Sequence, residues 1–247
     1  MSSSTHNSIL VVLTNTREIP QHRGGQEERD VDPSSNRTGF DIKEVAYLYE
    51  CLTKSSKCQL VFATPKGGEA PIDPHSMESS RNDEVVAKFI KDHEAMQNIK
   101  NTKKLRDLEN QKFLGVVFPG GAGVLFDLPN EHSINEIIRA IYPRHDSFVA
   151  AIGHGLAALL NVKTEKGELW LRGKRVTCQT LEEEKELKLE RVLPFMLEEK
   201  LKQIGAKIEK ASKFQPNVIE DERLITAQNS YSVKKWTEAI GRHCNMN

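Results

Sequence analysis

The sequence predicts an α/β fold in which a doubly wound, mostly parallel sheet carries helices on both faces. Two observations support this prediction: short apolar, β-branched runs recur along the chain, and amphipathic stretches separate them. A third is that glycine-containing turns follow several of the apolar runs. Ligands bind to open sheets of this kind outside the carboxyl ends of the strands. We therefore expect the functional residues in the turns that follow the strands.

Four apolar runs are predicted to be strands. Each is almost continuously apolar, which is the pattern of a strand that is buried on both faces of a sheet. A further strand is predicted in KRVTC, which ends at Cys178. The four runs are ILVVL at 9–13, QLVFAT at 59–64, LGVVF at 114–118 and FVAAI at 148–152.

Amphipathic helices are predicted between and after these strands. The first has Thr38 as its candidate N-cap and an apolar stripe with i, i+3, i+4 spacing that starts at Ile42. A second helix covers residues 134–142. A third has Pro194 in its first turn, where proline is favoured, and ends at Gly205.

Three polar segments complete the chain. Residues 17–37 contain Pro and Gly and are predicted to be a long polar loop, whereas residues 78–112 are a charged insertion with helical spacing. Residues 181–190, LEEEKELKLE, are interpreted as a solvated helix face. We predict that residues 1–247 form a single domain and that the loop at 17–37 and the charged segment at 78–112 are insertions in it.

Composition narrows the class of partner. The chain has 35 basic and 35 acidic residues and therefore no formal net charge, so no global field attracts it to nucleic acid or to an anionic membrane. The polar N-terminus leads into only five apolar residues, too few for a signal sequence or a membrane span. We expect a cytoplasmic protein that binds small molecules or proteins and neither nucleic acid nor the membrane interior.

Neither a metal nor a cofactor is predicted. The four cysteines contain no CxxC pair and are expected to be free thiols. Asp73 and His75 lie two positions apart, but no third ligand accompanies them, so they are a weak metal signal.

The stretch SFVAAIGHGLAALLN, residues 147–161, has the pattern of a nucleophile elbow: an apolar strand, a sharp turn and a helix of small residues. Gly153 occupies the position of the nucleophile. Gly120 and Gly121 follow the preceding strand, and the backbone amides of all three glycines are candidate ligand-binding groups because glycine allows close approach. The alternative is that these glycines only close tight turns.

Successive blocks of the sequence resemble the ThiJ/PfpI superfamily, which belongs to the class I glutamine amidotransferase-like proteins. They are most similar to its thirty-one-kilodalton heat-shock branch of chaperone and glyoxalase III-like proteins. This resemblance implies a flavodoxin-like sheet. The blocks are TGFDIKEVAYLYE, TPKGGEAPIDPHS, VFPGGAGVLFDLP, VAAIGHGLAALL, the stretch from GKRVTCQT to GAKIEK, and ERLITAQN.

In that family the elbow reads Ala-Ile-Cys-His-Gly, and the resemblance places Glu44 and His154 at the catalytic Glu and His positions. The catalytic Cys position is Gly153, and Ala122 stands where the glyoxalase branch usually has His. Glu44 either leans against an apolar wall with a raised pKa or lies at the surface edge of its helix. His154 either binds a ligand or makes a structural hydrogen bond at the helix start.

The glycine at the catalytic Cys position leaves two possible functions. Without a thiol the chain cannot form a hemithioacetal with a 2-oxoaldehyde, which indicates a pseudoenzyme that serves as an interaction or chaperone-like subunit. The alternative is a residual glyoxalase III-like lyase or a hydrolase that uses His154 and Glu44 through water. Amidotransferase and peptidase activities meet the same objection, because both begin from an elbow thiol.

The Gly-His-Gly elbow also resembles the class I glutamine amidotransferase-like domain-containing proteins of animals, in which Gly likewise replaces Cys. That resemblance implies a subunit of an early-endosomal protein assembly connected with messenger RNA and ribosomes. A homo-oligomer and protein partners are expected on this basis, and a small 2-oxoaldehyde is the expected ligand if activity remains.

Overall fold

The computed structural model describes residues 8–19, 36–55 and 58–245. Within these ranges a seven-stranded sheet forms the centre of the molecule, and a second sheet has two short strands. The large sheet contains β1 (Ser8–Val12), β2 (Gln59–Thr64), β3 (Lys103–Lys104), β4 (Gly115–Phe118), β5 (Phe148–Ile152), β8 (Val218–Asp221) and β9 (Leu224–Ala227); the small sheet pairs β6 (Arg175–Val176) with β7 (Lys207–Ile208).

The strand order in the large sheet is β3-β2-β1-β4-β5-β9-β8. The pairs from β3 to β9 are parallel, and only the edge strand β8 is antiparallel to its neighbour. From β1 the chain adds strands first on one side and then on the other, which confirms the doubly wound α/β fold. A crevice opens at the carboxyl ends of the strands beside such a switch point.

Helices cover both faces of the sheet because alternate residues of each strand point to opposite sides. In β5, for example, Val149 and Ala151 pack in one buried cluster and Ala150 and Ile152 in the other. The first face holds α5 (Val124–Asp127), α6 (His132–Ile141) and α8 (Leu197–Gln203); the second holds α1 (Ile42–Ser55), α3 (Glu84–Lys91), α4 (His93–Lys100) and α9 (Val233–Asn245). Two shorter helices are α2 (Pro74–Ser79) and α7 (Leu181–Glu186).

The predicted strands agree with β1, β2, β4 and β5 to within one residue at each end. Two helix starts were wrong. The N-cap of α1 is Asp41, whose carboxylate accepts hydrogen bonds from the Lys43 and Glu44 amides, rather than Thr38. Helix α8 begins at Leu197, three residues after Pro194.

The structure describes the two predicted insertions to different extents. Of the loop at 17–37, residues 20–35 lie outside the described part of the chain. The segment 78–112 contains α3, α4 and β3. Across the described ranges the structure has no helix with the length and apolarity needed to traverse a bilayer.

Candidate functional site

A pocket of about 570 Å³ lies at the carboxyl ends of the central strands. The turns after β2, β4 and β5 contribute to its wall, together with the first turn of α1 and the segment after β9. Four of the predicted site residues, Glu44, Gly121, Gly153 and His154, line it. The structure therefore brings together residues that the sequence places up to 110 positions apart.

Gly153 begins the 3-10 helix Gly153–Leu159 that follows β5, and its φ is +54°. This left-handed conformation strains residues that carry a side chain, as the elbow pattern predicts. A Cβ at this position would lie 3.7 Å from Glu44 Oε1 and 3.8 Å from Gln179 Oε1, which is ordinary contact distance. The elbow thus retains room for a side chain that points into the pocket.

Glu44 is buried beneath the elbow and is not a surface residue. Its Oε2 accepts a hydrogen bond from the Gly120 amide at 2.6 Å, and its Oε1 accepts one from Ser230 Oγ at 3.0 Å. Burial, followed by the nearby Asp41 carboxylate, raises the pKa of Glu44 well above its ordinary value. Glu44 is therefore able to hold a proton inside the pocket at higher pH than an exposed glutamate.

Asp41 is a second carboxyl in the same network; it is half-buried, and sequence reasoning missed it. Ser230 Oγ lies 2.9 Å from Asp41 Oδ2, so one hydroxyl bridges Asp41 and Glu44. Burial also raises the pKa of Asp41. The helix-start position of Asp41 gave a capping signal, but its contact with Ser230 spans 189 positions and could not be read from spacing.

His154 is buried, and its partner is Glu184, whose Oε1 lies 3.2 Å from the His154 Nε2 atom. Glu184 is fully buried, and its Oε2 has no hydrogen-bond partner among the described residues. The interpretation of residues 181–190 as a solvated helix face was therefore wrong for this part of α7. A run of charged residues suggested exposure, whereas the capping box with Thr180 turns Glu183 inward and Glu184 lies against His154.

Glu183, beside it, is also fully buried but is completely hydrogen-bonded. Its Oε1 accepts from the Phe214 amide, Gln228 Nε2 and Asn229 Nδ2, and its Oε2 accepts from the amide and hydroxyl of Thr180. This carboxylate joins α7 to the loop around Phe214 and to the segment after β9. It positions the pocket wall rather than facing the pocket.

The glycines after β4 have roles that differ from free ligand-binding amides. The Gly120 amide is occupied, because it donates to Glu44. Gly121 has a φ of +109°, and a Cβ there would lie 2.3 Å from the Gly39 carbonyl oxygen, so the turn requires glycine. Gly121 thus fits the alternative that these glycines only close tight turns, whereas the Gly120 amide holds the Glu44 carboxylate.

All four cysteines lie in the described part of the chain, none forms a disulfide, and none lines the pocket. Cys178 is buried beside β6, and burial raises the pKa of its thiol well above the ordinary value. Cys51 Sγ contacts the Thr237 carbonyl oxygen on α9, on the other face of the sheet. No displaced thiol in these residues takes the place of the missing nucleophile.

Asp73 and His75 line the pocket mouth but have a local structural explanation. Asp73 is the N-cap of α2, and its carboxylate accepts from the amides of His75 and Ser76. Among the described residues no group of three or more His, Cys, Asp or Glu side chains is arranged to bind a metal ion.

The fold and the site define a class: an α/β protein with a doubly wound sheet and an elbow pocket that contains a buried glutamate and a His-Glu pair. The model of the DJ-1/PfpI family matches residues 38–242, and the chain belongs to this family. The resemblance to the ThiJ/PfpI superfamily is thereby confirmed.

Curated and structural relatives support the same placement. Glutamine amidotransferase-like class 1 domain-containing protein 1 of Xenopus laevis is 25% identical over 227 residues, which are 90% of this chain and 95% of that protein. Glyoxalase 3 of Candida albicans is 28% identical over 222 residues, 83% of this chain and 89% of that protein. The crystal structure of Rapid Encystment Protein 24 KDa from Francisella tularensis has a TM-score of 0.83 and 33% identity, with coverage of 96% and 98%.

Proposed function

We propose that this chain is a catalytically inactive member of the DJ-1/PfpI family that acts as an interaction or chaperone-like subunit. The observation that carries the proposal is Gly153, which places no nucleophilic atom at the elbow of an otherwise complete pocket. Covalent catalysis at this site requires an atom that adds to the substrate, and glycine supplies none.

The surrounding structure favours loss of chemistry over loss of fold. Glycine relieves the left-handed strain of the elbow, which costs a residue with a side chain about 1–3 kcal/mol. The neighbouring groups remain ordered, because Glu44 is held by Gly120 and Ser230 and because His154 contacts Glu184. A stable pocket without a nucleophile suits ligand-dependent or partner-dependent binding.

The place of action is part of the proposal. The relatives include glutamine amidotransferase-like class 1 domain-containing protein 1, and the Gly-His-Gly elbow resembles that group. By that resemblance we propose a cytoplasmic homo-oligomer that associates with an early-endosomal protein assembly.

One observation favours a second function, a residual lyase or hydrolase. His154 and Glu184 form a buried pair beside the elbow, and a buried imidazole with a carboxylate partner is able to act as a general base for water. General base catalysis contributes about 10²–10⁴-fold. It does not supply the covalent intermediate that a thiol would provide.

Conversion of methylglyoxal to lactate by the purified protein separates the two functions. We expect no turnover above the rate in buffer. The comparison variants are His154→Ala, which removes the imidazole in the pocket, and His132→Ala, which removes an exposed imidazole at the start of α6. If the wild type shows turnover that His154→Ala abolishes and His132→Ala preserves, the protein is a lyase and the pseudoenzyme proposal is wrong.

The interaction role is tested separately, by purification at native expression level with the particle mass measured in parallel. We expect a defined set of co-purifying proteins at constant ratio and a mass of at least two chains. A monomer that elutes alone would contradict the subunit role even if no turnover were found.

A further inference from the structure

A second cavity, of about 560 Å³, lies at the last turn of α6 and shares no lining residue with the elbow pocket. Its walls are the last turn of α6 and the hairpin at 162–170, in which Lys163 pairs with Leu169. The hairpin is fixed to the body of the protein, because the Lys163 amide donates to Asn135 Oδ1 at 2.7 Å. The cavity is thus formed by anchored structure.

The cavity has an apolar floor. Tyr142 and Trp170 pack edge to face with ring centroids 4.7 Å apart, and the Trp170 side chain is largely buried. The other apolar residues of the floor are Ile138, Pro143, Val162 and Leu169.

The rim is cationic, although the whole chain has no net charge. Two acidic residues, Glu165 and Glu168, accompany five basic ones. Lys163, Lys166 and Arg172 make no ion pair with another described residue. The five are Arg139, Lys163, Lys166, Arg172 and Lys174.

Lys174 is held at the boundary between floor and rim. Its Nζ donates to the Tyr142 hydroxyl at 3.2 Å and lies 5.1 Å and 5.3 Å from the ring centroids of Tyr142 and Trp170. Glu222 is 3.9 Å away and neutralises part of its charge. The ammonium group is therefore fixed in position next to apolar surface before any ligand arrives.

Thr164 supplies an independent observation. Its Oγ1 is buried from solvent and has no hydrogen-bond partner among the described residues, yet the residue lines this cavity. A buried hydroxyl without a partner is uncommon, since leaving a polar group unsatisfied is costly. If the Thr164 side chain turned toward the cavity, an acceptor atom of a ligand would satisfy this hydroxyl.

We infer that this cavity is a second binding site, for a small organic anion with an apolar body, of the medium-chain carboxylate type. The apolar floor accepts the hydrocarbon part, and the fixed ammonium group of Lys174, the exposed cations of the rim and the Thr164 hydroxyl donate to the carboxylate. The volume is within the range of about 300–1,000 Å³ that is typical of small-molecule pockets. A recessed cavity favours a free ligand over the flat surface of a bilayer.

The test is a titration of the full-length protein with decanoate, followed by tryptophan fluorescence and calorimetry. The chain has two tryptophans, and Trp236 is fully buried on the other face of the sheet, so a change in fluorescence reports on Trp170. Decanol tests the cationic rim, because it keeps the ten-carbon hydrocarbon and lacks the negative charge. Acetate tests the apolar floor, because it keeps the negative charge and lacks the long hydrocarbon.

Two matched double variants each replace a pair of exposed lysines, three positions apart, by glutamate. Lys163→Glu with Lys166→Glu reverses the rim, whereas Lys88→Glu with Lys91→Glu makes the same charge change on α3. We expect saturable decanoate binding that weakens at least tenfold in the rim variant and less than twofold in the α3 variant. Gly153→Cys should leave decanoate binding unchanged, so this result is independent of the elbow.

Several outcomes would overturn the inference. These are no saturable binding of decanoate, equal binding by both charge variants, or equal affinity for acetate or decanol. Co-sedimentation with anionic phosphatidylserine vesicles, in the absence of decanoate binding, would assign the surface to a membrane instead. Binding only to a glutamate-rich peptide would assign it to a protein partner.

Discussion

Glu183 and Glu184 are adjacent, equally buried and of the same chemical type, yet their surroundings differ completely. Glu183 accepts five hydrogen bonds from three separate segments. The one described hydrogen bond of the Glu184 carboxylate joins its Oε1 to His154, and its Oε2 has no described partner. A carboxylate that builds a fold is surrounded by donors. One that belongs to a site retains unfilled capacity.

A similar contrast separates Glu183 from the pocket. Both oxygens of the Glu183 carboxylate are occupied by donors, whereas the pocket contains an open position at Gly153 and two carboxyls, Asp41 and Glu44, whose pKa values burial raises. Loss of the hydrogen bonds of Glu183 should therefore reduce stability more than a change in the pocket does.

The largest effect is expected for Glu183→Gln. An amide NH₂ group must face at least one of the donors that now meet an oxygen, so buried donors lose their acceptor at about 1–3 kcal/mol each. We expect the free energy of unfolding to fall by about 3 kcal/mol or more in urea denaturation at pH 7. A decrease in the free energy of unfolding below about 1 kcal/mol would mean that the hydrogen bonds of Glu183 do not stabilise the fold.

Gly153→Cys is the next test. The left-handed conformation should cost about 1–2 kcal/mol of stability. The new thiol lies at the start of a 3-10 helix in an accessible pocket, so we expect it to react with iodoacetamide at pH 7 at least about 100-fold faster than Cys178, whose thiol is buried with a raised pKa. Peptide mapping by mass spectrometry measures both rates in one sample. Equal rates would mean that residue 153 is not at the elbow.

Glu44→Gln tests the pocket through pH. Because the folded-state pKa of Glu44 is raised, its contribution to stability is fully present below its ordinary value of 4.5 and is lost as pH rises through the raised value. The glutamine lacks this titration and keeps an acceptor for the Gly120 amide. We expect the stability of the variant relative to the wild type to increase from pH 5 to pH 8. The exposed control Glu94→Gln should show no such trend, and a flat profile for Glu44→Gln would contradict a buried, titrating carboxyl.

The smallest effect is expected for Glu184→Gln, the same exchange as at position 183. The amide preserves a polar contact with His154, and the second oxygen of Glu184 has no described partner to lose, so we expect a change within about 1 kcal/mol. Urea denaturation of both glutamine variants under one set of conditions gives the comparison directly. Similar losses at the two positions would mean that hydrogen-bond satisfaction does not distinguish them.

The fold was accessible from sequence because its signals are local. Continuous apolar runs such as FVAAI gave the central strands, and the Gly-His-Gly turn located the elbow. The last two strands, β8 and β9, were missed; in β8 the acidic pair Glu220 and Asp221 interrupts the apolar pattern. That the chain is one domain with two insertions remains a prediction.

The site was only partly accessible, because its decisive contacts join distant segments. Glu44 and His154 were identified by their place in a resemblance, whereas Asp41, Glu184 and Ser230 were not. Ser230 reaches Glu44 across 186 positions, and Glu184 lies in a charged run that looks solvent-exposed. Burial of a glutamate against the average behaviour of its type is a tertiary effect that spacing does not reveal.

The two margins of the large sheet limit how copies of this chain associate. One margin is β3, which consists of two exposed lysines, and the other is β8, which ends in Glu220 and Asp221. Short, charged borders are poor templates for the addition of another strand. A self-assembled form is therefore expected to join through its helical exterior, and the protein should resist growth into cross-β fibres.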